Sequence, residues 1–216
     1  MVKQVRAART RASLIRAAAE VFADEGYAMA SLPAISERAG VSAGALYFHF
    51  ASKDALAREV ECAAADCVEK LAERCLSAAG TSLQSLVHTT DRLLHAVASD
   101  PVVRAGFTLS GDPSRKNGAG LLRWWSVWVR DLVVRAQAAG ELSDDISPDG
   151  AATVIVAATV GMEALGSWDR DWLSCERLAQ FWIFALPRLA APPHLTAALS
   201  ACAPEADDVA TPTGTV

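Results

Sequence analysis

The 216-residue chain has little of what marks membrane, secreted or fibrous proteins. Its 13 glycines and 9 prolines are too few for a fibrous or low-complexity chain. No run reaches the roughly 18 uncharged apolar residues of a membrane helix, and no apolar stretch follows the basic N-terminus as in a signal peptide. Alanine is abundant and β-branched runs are scarce, which favours helices. We therefore expect a soluble, cytoplasmic, all-α protein without a membrane partner.

Patterns typical of metal sites, disulfides and enzymes are also missing. The five cysteines form no CxxC pair and have no histidine at ligand spacing. The four histidines are scattered, and the sequence contains no HExxH, GxSxG, P-loop or GxGxxG motif. We predict no metal, no cofactor and no enzymatic activity, and keep an α-helical enzyme only as an alternative.

The charge is unevenly distributed along the chain. The net charge is −5, but residues 1–58 carry eight Lys or Arg and five acids, which leaves −8 on the remainder. The first sixteen residues hold five positive charges and no negative one. This asymmetry indicates a small basic head on an acidic body. A solvated, disordered leader is the alternative interpretation of the basic N-terminus.

The basic region contains the pattern of a helix-turn-helix. Apolar residues at helical spacing predict a first helix over residues 10–24, which Gly26 would end. Ser31 is a predicted N-cap for a second, short helix. Residues 39–42 form a predicted tight turn, and residues 43–49 a third helix.

The third predicted helix carries aromatic side chains where solvent would not favour them. Leu46 can face the core, whereas Tyr47, Phe48 and His49 occupy other faces. Small neighbours would let the helix backbone approach base edges, and hydroxyl or imidazole groups can donate to phosphates. The alternative is that the aromatics belong to a core or a subunit interface. The candidate DNA-binding residues are Arg6, Arg9, Arg11, Ser42, Ala43, Gly44, Ala45, Tyr47, Phe48, His49 and Lys53.

These residue types and spacings, over residues 10–53, resemble the DNA-binding head of TetR-type repressors. The string Ala45-Leu46-Tyr47-Phe48-His49-Phe50 and the later Arg104-Ala105-Gly106 are similar, more narrowly, to γ-butyrolactone autoregulator receptors. The resemblance implies a dimeric repressor that controls secondary metabolism, binds operator DNA with one head per half-site, and is released by a small molecule. Ala43 is a departure, because those receptors usually carry a lysine there.

The acidic body reads as a succession of helices. A long amphipathic helix is predicted from residue 53 to about residue 78, and the clearest loop covers residues 111–120. We expect a DNA-binding domain at 1–52, a ligand-binding and dimerisation domain at 53–203, and a disordered tail at 204–216.

Tryptophans in the body suggest where an effector could bind. Three crowd into residues 124–128, and such stripes are usually core. The resemblance matches Trp124 to a pocket tryptophan of the receptors, and it places Ala64 and Val160 where several receptors have Gln and Thr. These two apolar residues predict a less polar pocket than in those receptors. The expected effector is of the butyrolactone type or, alternatively, an antibiotic or pathway intermediate. The candidate effector-binding residues are Trp124, Trp128, Val160, Ala64, Leu86 and Met162.

Two C-terminal segments are strongly apolar. Residues of about 148–165 and 175–189 read as helices, the first apolar nearly all round, so we predict burial against a twofold copy of the chain. Glu163 is the one acid within 150–165, and it is either a rim residue or an acceptor in the pocket. An adaptor bundle without DNA binding is an alternative function, but it leaves the aromatic third helix unexplained.

Overall fold

Ten α-helices make up the computed structural model, which describes residues 2–115 and 120–202. Across these residues the backbone forms no strand, only an isolated antiparallel bridge between Leu142 and Ala190. The all-α prediction is confirmed. The helices are α1 (Val2–Met29), α2 (Leu32–Arg38), α3 (Ala43–His49), α4 (Lys53–Ala78), α5 (Ser82–Ser99), α6 (Pro101–Gly111), α7 (Gly120–Ala138), α8 (Pro148–Gly166), α9 (Cys175–Leu189) and α10 (Pro192–Ser200).

Local capping explains why most helices begin where the sequence predicts. The side-chain oxygens of Ser31, Ser42 and Asp100 accept hydrogen bonds from Ala34 N, Ala45 N and Val102 N at 3.3, 3.2 and 2.8 Å. Each bond satisfies an amide that the first helical turn leaves without a partner. The predicted bounds of α4 and α9 match the structure.

The N-terminal helix is longer than predicted. It begins at Val2 rather than Thr10, so the basic leader is helical instead of disordered. Residues 2–9 contain no glycine or proline, and their alanines and arginines are good helix formers. Gly26 interrupts the helix with φ 76° and ψ 165°, a conformation open essentially to glycine alone. One further turn then leads to Met29.

Two hydrophobic cores lie along the molecule, and α4 and α6 take part in both. The head core contains Leu14, Phe22, Ile35 and Leu46, together with Leu109 from α6 and others. The body core is built mainly on α5, α7, α8 and α9. The division at residues 52 and 53 stays a prediction, and the predicted tail at 204–216 lies outside the described residues.

The membrane-compatible composition of α8 and the short helix that follows it were not predicted from the sequence. By length and composition alone α8 could cross a membrane, although no such segment is predicted. One side packs on the body core through Ile155, Thr159 and Met162, while Val154 on its other side is exposed. A 3-10 helix, Arg170–Leu173, follows it and was not predicted. Leu173 closes over Gly166, where a Cβ would lie 2.4 Å from the leucine Cγ.

Candidate functional sites

The third helix, α3, packs on the head through one side chain and leaves most of its other side chains exposed. Leu46 is buried in the head core, whereas Tyr47 and Phe48 are 60% and 81% exposed. The rings of Phe48 and His49 meet edge to face, with centroids 5.2 Å apart. Tyr47 and Phe48 are therefore not core aromatics of the single chain.

The remaining predicted residues of α3 form a small, open surface beside these rings. Ser42, Ala43 and Gly44 are exposed, and Ala45 is half-buried. A Cβ added to Gly44 would meet only Ser42 Oγ, at 3.9 Å. The glycine is therefore not required by packing. The surface combines small residues, two exposed aromatic rings and a helix N-terminus, a shape that lets another molecule approach the backbone closely.

The arginines of α1 separate into two groups. Arg6 and Arg9 are exposed. Arg11 instead forms an ion pair with Glu59 of α4, and its guanidinium carbon lies 5.5 Å from the centroid of the Phe50 ring. Arg11 therefore ties α1 to α4. The side chain is also partly exposed, and its predicted contact with DNA stays a prediction.

Lys53 also makes contacts within the chain that the sequence did not predict. Its Nζ donates to the carbonyl oxygens of Tyr27, Ala28 and Ala30 at 2.7, 3.3 and 2.9 Å, and lies 4.5 Å from the centroid of the Tyr27 ring. Carbonyls at the end of a helix lack amide partners and carry partial negative charge. The ammonium group compensates both, so Lys53 joins the end of α1 to the start of α4, and its contact with phosphate stays a prediction.

A buried arginine, which sequence reasoning missed, links the loop after α6 to the head. The side chain of Arg115 is 2% exposed, with its Nη1 2.7 Å from Glu61 Oε1 and its Nη2 3.6 Å from Asp54 Oδ1. Its guanidinium carbon lies 5.1 Å from the centroid of the Tyr27 ring. A charge buried this deeply is tolerated because it is paired. The sequence shows only an arginine in a loop, since the partners are more than fifty positions away.

A small apolar cavity lies between α5, α6, α7 and α8. Its volume is about 10 Å³, which is room for about one water molecule. An effector the size of a lactone signal requires these helices to move apart. The cavity is lined by Leu93, Leu94, Val97, Phe107, Trp125, Thr159, Val160 and Glu163.

Trp125 is the tryptophan that lines this cavity, and the predicted effector contact of Trp124 stays a prediction. The indole Nε1 of Trp125 donates to Thr159 Oγ1 at 2.9 Å, and that hydroxyl donates to the carbonyl of Ile155 at 2.9 Å. Trp124 is half-buried and stacks on Trp128 with ring centroids 6.2 Å apart. Helical spacing separates the two directions by about 100° but does not say which one faces the cavity.

Of the six predicted effector residues, Val160 lines the cavity. Ala64 is fully buried where α4 crosses α6, and a Cβ on Gly106 would lie 2.3 Å from the Ala64 Cβ. Leu86 and Met162 are buried in the body core, and Trp128 packs against it. These positions make packing contacts in the structure, and their contact with an effector stays a prediction.

Glu163 is the ionisable group that lines the cavity. Burial raises its pKa to about 7, since desolvation disfavours the carboxylate. It lies in the wall of the cavity, which favours the acceptor interpretation over the rim. Within the described ranges, no three His, Cys, Asp or Glu side chains gather in a way that could hold a metal ion.

The two apolar C-terminal helices leave an apolar surface uncovered in the single chain. Phe184 of α9 is 85% exposed, and Ile183 and Val154 are also exposed. Phe184 and Val154 line a groove of about 680 Å³ between the start of α8 and α9. Exposed apolar patches of this kind mark interaction sites. The surface lies on the two helices predicted to pair with a second copy.

Comparison with known proteins bears on both regions. Residues 14–60 match the family described as bacterial regulatory proteins, tetR family. The A-factor receptor protein of Streptomyces griseus is 35% identical over 197 residues, which cover 89% of this chain and 68% of that protein. The chain belongs to the TetR family.

Solved structures show which members of the family this chain resembles in fold. A γ-butyrolactone receptor described as ArpA-like has a TM-score of 0.79 and 28% identity, over 91% of this chain and 96% of that one. The TetR family protein CprB from Streptomyces coelicolor, in complex with its biological operator sequence, has a TM-score of 0.77 and 29% identity, over 90% and 95%. This TetR-family protein is a transcriptional regulator close to the γ-butyrolactone receptors.

Proposed function

We propose that this TetR-family regulator is a dimeric repressor that binds operator DNA and is released by a small, largely apolar effector. Such a repressor acts in the cytoplasm, where the chromosome lies. Control of secondary metabolism is part of the proposal, because the relatives include an A-factor receptor and γ-butyrolactone receptors.

The exposed surface of α3 is the observation that carries the proposal. In it, Gly44, Ala45 and Phe48 lie near base edges of the major groove, where a backbone without bulky side chains can approach closely. Tyr47 and His49 contact phosphates. The sugar-phosphate backbone on either side of these bases is contacted by Ser42, Ala43, Arg6 and Arg9. The complex of CprB with its operator supports the same use of this head.

The dimer forms through α8 and α9. Burying Phe184, Ile183 and Val154 against a twofold copy removes apolar area from water, which stabilises association by roughly 25 cal/mol per Å² before its costs are subtracted. The two heads of such a dimer meet half-sites spaced by about 34–36 Å, or a multiple of that distance.

The effector enters the body at the cavity between α5 and α8. In this proposal the cavity of about 10 Å³ corresponds to a closed state, which has to open to admit an effector. An effector that binds only an opened state shifts the population away from the closed one. Movement of α6 reaches the head directly, since Leu109 is part of the head core. Two effector classes fit this outline: a butyrolactone-type signal, or an antibiotic or pathway intermediate.

Fluorescence anisotropy with labelled DNA from upstream of the gene tests the proposal. We expect sequence-dependent binding that weakens steeply with salt, because phosphate contacts release counterions. Replacing Arg6 and Arg9 together by Gln should lower the salt slope by about two, one for each lost contact. Arg177→Gln, which removes a paired arginine far from the head, is the matched control and should leave the slope unchanged. A wild-type protein that binds no DNA at low salt contradicts the proposal and favours the adaptor.

A further inference from the structure

A second pocket, of about 270 Å³, lies where the head meets the body, and we call it the junction pocket. The N-terminal helix of the head forms one side through Ala23 and Asp24, while body elements form the others. Its lining therefore depends on how the head sits against the body. The lining residues are Ala23, Asp24, Val97, Arg104, Thr108, Glu163, Gly166, Ser167, Arg170 and Leu173.

The charged groups of the junction pocket do not balance. Arg104 Nη2 lies 3.6 Å from Asp24 Oδ1, in a pair that joins α6 to α1. Arg170 donates to the carbonyl of Ala98. Burial raises the pKa of Glu163 to about 7, so this carboxyl is only partly ionised at neutral pH. The two guanidinium groups therefore outweigh the carboxylate charge of the lining, which gives the pocket a net positive charge.

The junction pocket and the effector cavity share part of their walls. Val97 and Glu163 line both of them. One elongated molecule could therefore place its apolar part in the cavity and a polar end in the junction pocket. The cavity wall offers little to such a polar end, because the Trp125 indole and the Thr159 hydroxyl already bond to each other.

We propose that the junction pocket binds the carboxylate of an amphipathic acid whose apolar part opens the adjacent cavity, and that Arg104 exchanges Asp24 for this carboxylate. The inference rests on the proposed function, since it names the chemical class of the effector. It also gives a role to Arg104, the first residue of the Arg104-Ala105-Gly106 string. Arginine suits this exchange because its planar fork binds carboxylates in two-pronged geometry.

Loss of the Arg104–Asp24 pair has a direct consequence for the head. Asp24 lies on α1, so the exchange removes one of the links between α1 and α6. The head then becomes freer to leave the spacing that an operator requires. Binding of the acid and binding of DNA therefore oppose each other.

Titration of the 216-residue protein with sodium octanoate and, separately, with 1-octanol tests the inference. The two probes share an eight-carbon chain, and tryptophan fluorescence reports filling of the cavity beside Trp125. Octanoate should bind at least about tenfold more tightly, the value of one charge-assisted hydrogen bond. Equal affinities, or tighter binding of octanol, would overturn the inference in favour of a neutral ligand.

Variants of the pocket arginines sharpen the test. Arg104→Gln and Arg170→Gln should each weaken octanoate about tenfold and leave octanol unchanged. Asp24→Asn should strengthen octanoate, because it removes the competing carboxylate from Arg104. Arg177→Gln removes an arginine that is also paired with an aspartate, outside the pocket, and should match the wild type. Circular dichroism checks that each variant folds. Weaker octanoate binding in folded Asp24→Asn protein contradicts the exchange.

The pH dependence provides a second readout. The charged groups facing Glu163 across the junction pocket are Asp24 on α1, Arg104 on α6 and Arg170 on the 3-10 helix. Because burial raises the pKa of Glu163 to about 7, octanoate affinity should fall as pH rises through about 7, where the Glu163 carboxylate begins to repel the ligand. Glu163→Gln should abolish this dependence. A pH profile that is the same in wild type and Glu163→Gln counts against the pocket.

DNA anisotropy on the same samples separates this inference from the proposed function. Protein that binds DNA but does not prefer octanoate refutes the junction pocket alone. Protein that prefers octanoate but binds no DNA refutes the repressor, while the carboxylate site stands.

Discussion

The third helix of the head and the core of the body use aromatic side chains in opposite ways. In the head, Tyr47 and Phe48 are exposed on a short helix. In the body, Trp125 and Trp182 are fully buried, and each indole N–H donates to a threonine hydroxyl at 2.9 Å. Buried aromatics with satisfied polar groups stabilise a fold, whereas exposed ones contribute little to it. Trp125 and Trp182 thus help to hold the bundle together, and Tyr47 and Phe48 are available for binding.

The two regions are nevertheless joined by more than the chain. Ala105 and Leu109 of α6 complete the head core, and Arg115 forms ion pairs with Asp54 and Glu61 of α4. Tyr27 lies against both Arg115 and Lys53. A movement of α6 can therefore reach the head through these tertiary contacts as well as along the chain. Four substitutions test this comparison.

Trp125→Ala should have the largest effect on stability. Truncating a fully buried tryptophan lowers the free energy of unfolding by about 3–5 kcal/mol, through lost burial and the cavity left behind. Trp124→Ala is the matched control and should cost less than half as much, because Trp124 is only half-buried. Urea denaturation followed by circular dichroism gives both values. Similar losses for the two variants would contradict the assignment of Trp125 to the core of the body.

Arg115→Met should be nearly as disruptive, because it leaves Glu61 buried without its cation. Breaking a buried ion pair in this way costs about 3 kcal/mol. Arg58, whose Nη1 lies 2.6 Å from Asp54 Oδ2 on the surface, supplies the control. Arg58→Met should change the free energy of unfolding by less than about 1 kcal/mol. Equal effects in urea denaturation would contradict a stabilising role for the buried pair between Arg115 and Glu61.

Thr159→Val should lower the free energy of unfolding by about 2 kcal/mol, since the Trp125 indole N–H loses its acceptor while staying buried. Thr153 lies on the exposed side of the same helix and bonds only to the carbonyl of Asp149. Thr153→Val should stay within about 0.5 kcal/mol of the wild type. Thermal unfolding of the pair measures the difference, and a neutral Thr159→Val would remove the hydrogen bond from the account.

Phe48→Ala should have the smallest effect on stability, within about 0.5 kcal/mol, because the ring is exposed. Its effect on DNA affinity should be at least about tenfold, in the range of a lost base contact. Leu46→Ala, two residues away, should instead lower the free energy of unfolding by about 2–5 kcal/mol, because Leu46 is buried. Anisotropy and urea denaturation on both variants make the contrast. Normal DNA affinity in Phe48→Ala would break the division between binding and structural aromatics.

Much of the head could be predicted because its signals are local. The turn at Gly40, the cap at Ser42 and the inward direction of Leu46 all follow from neighbours within four positions. The exposed surface of α3 follows in the same way. The start of α1 could not be placed, since it has no capping residue to mark it and depends on the absence of helix breakers before Thr10.

The body was harder to predict at its sites than in its helices. Trp124 and Trp125 have the same residue type and the same helix, and only the packing of α7 on α8 decides which of them lines the cavity. Ala64 has no pattern that distinguishes a cavity wall from a helix crossing. The close approach to Gly106 comes from the angle between α4 and α6, which no local spacing reveals.

The sequence alone determined the all-α class, most helix bounds and the surface of α3, because a cap or a helical face involves residues one to four positions apart. The tertiary structure alone decided the partners of Lys53 and Arg115. Those partners lie from about twenty to about ninety positions away in the chain. Such contacts exist only once the helices have packed, because packing is what brings distant charges together and removes water from between them.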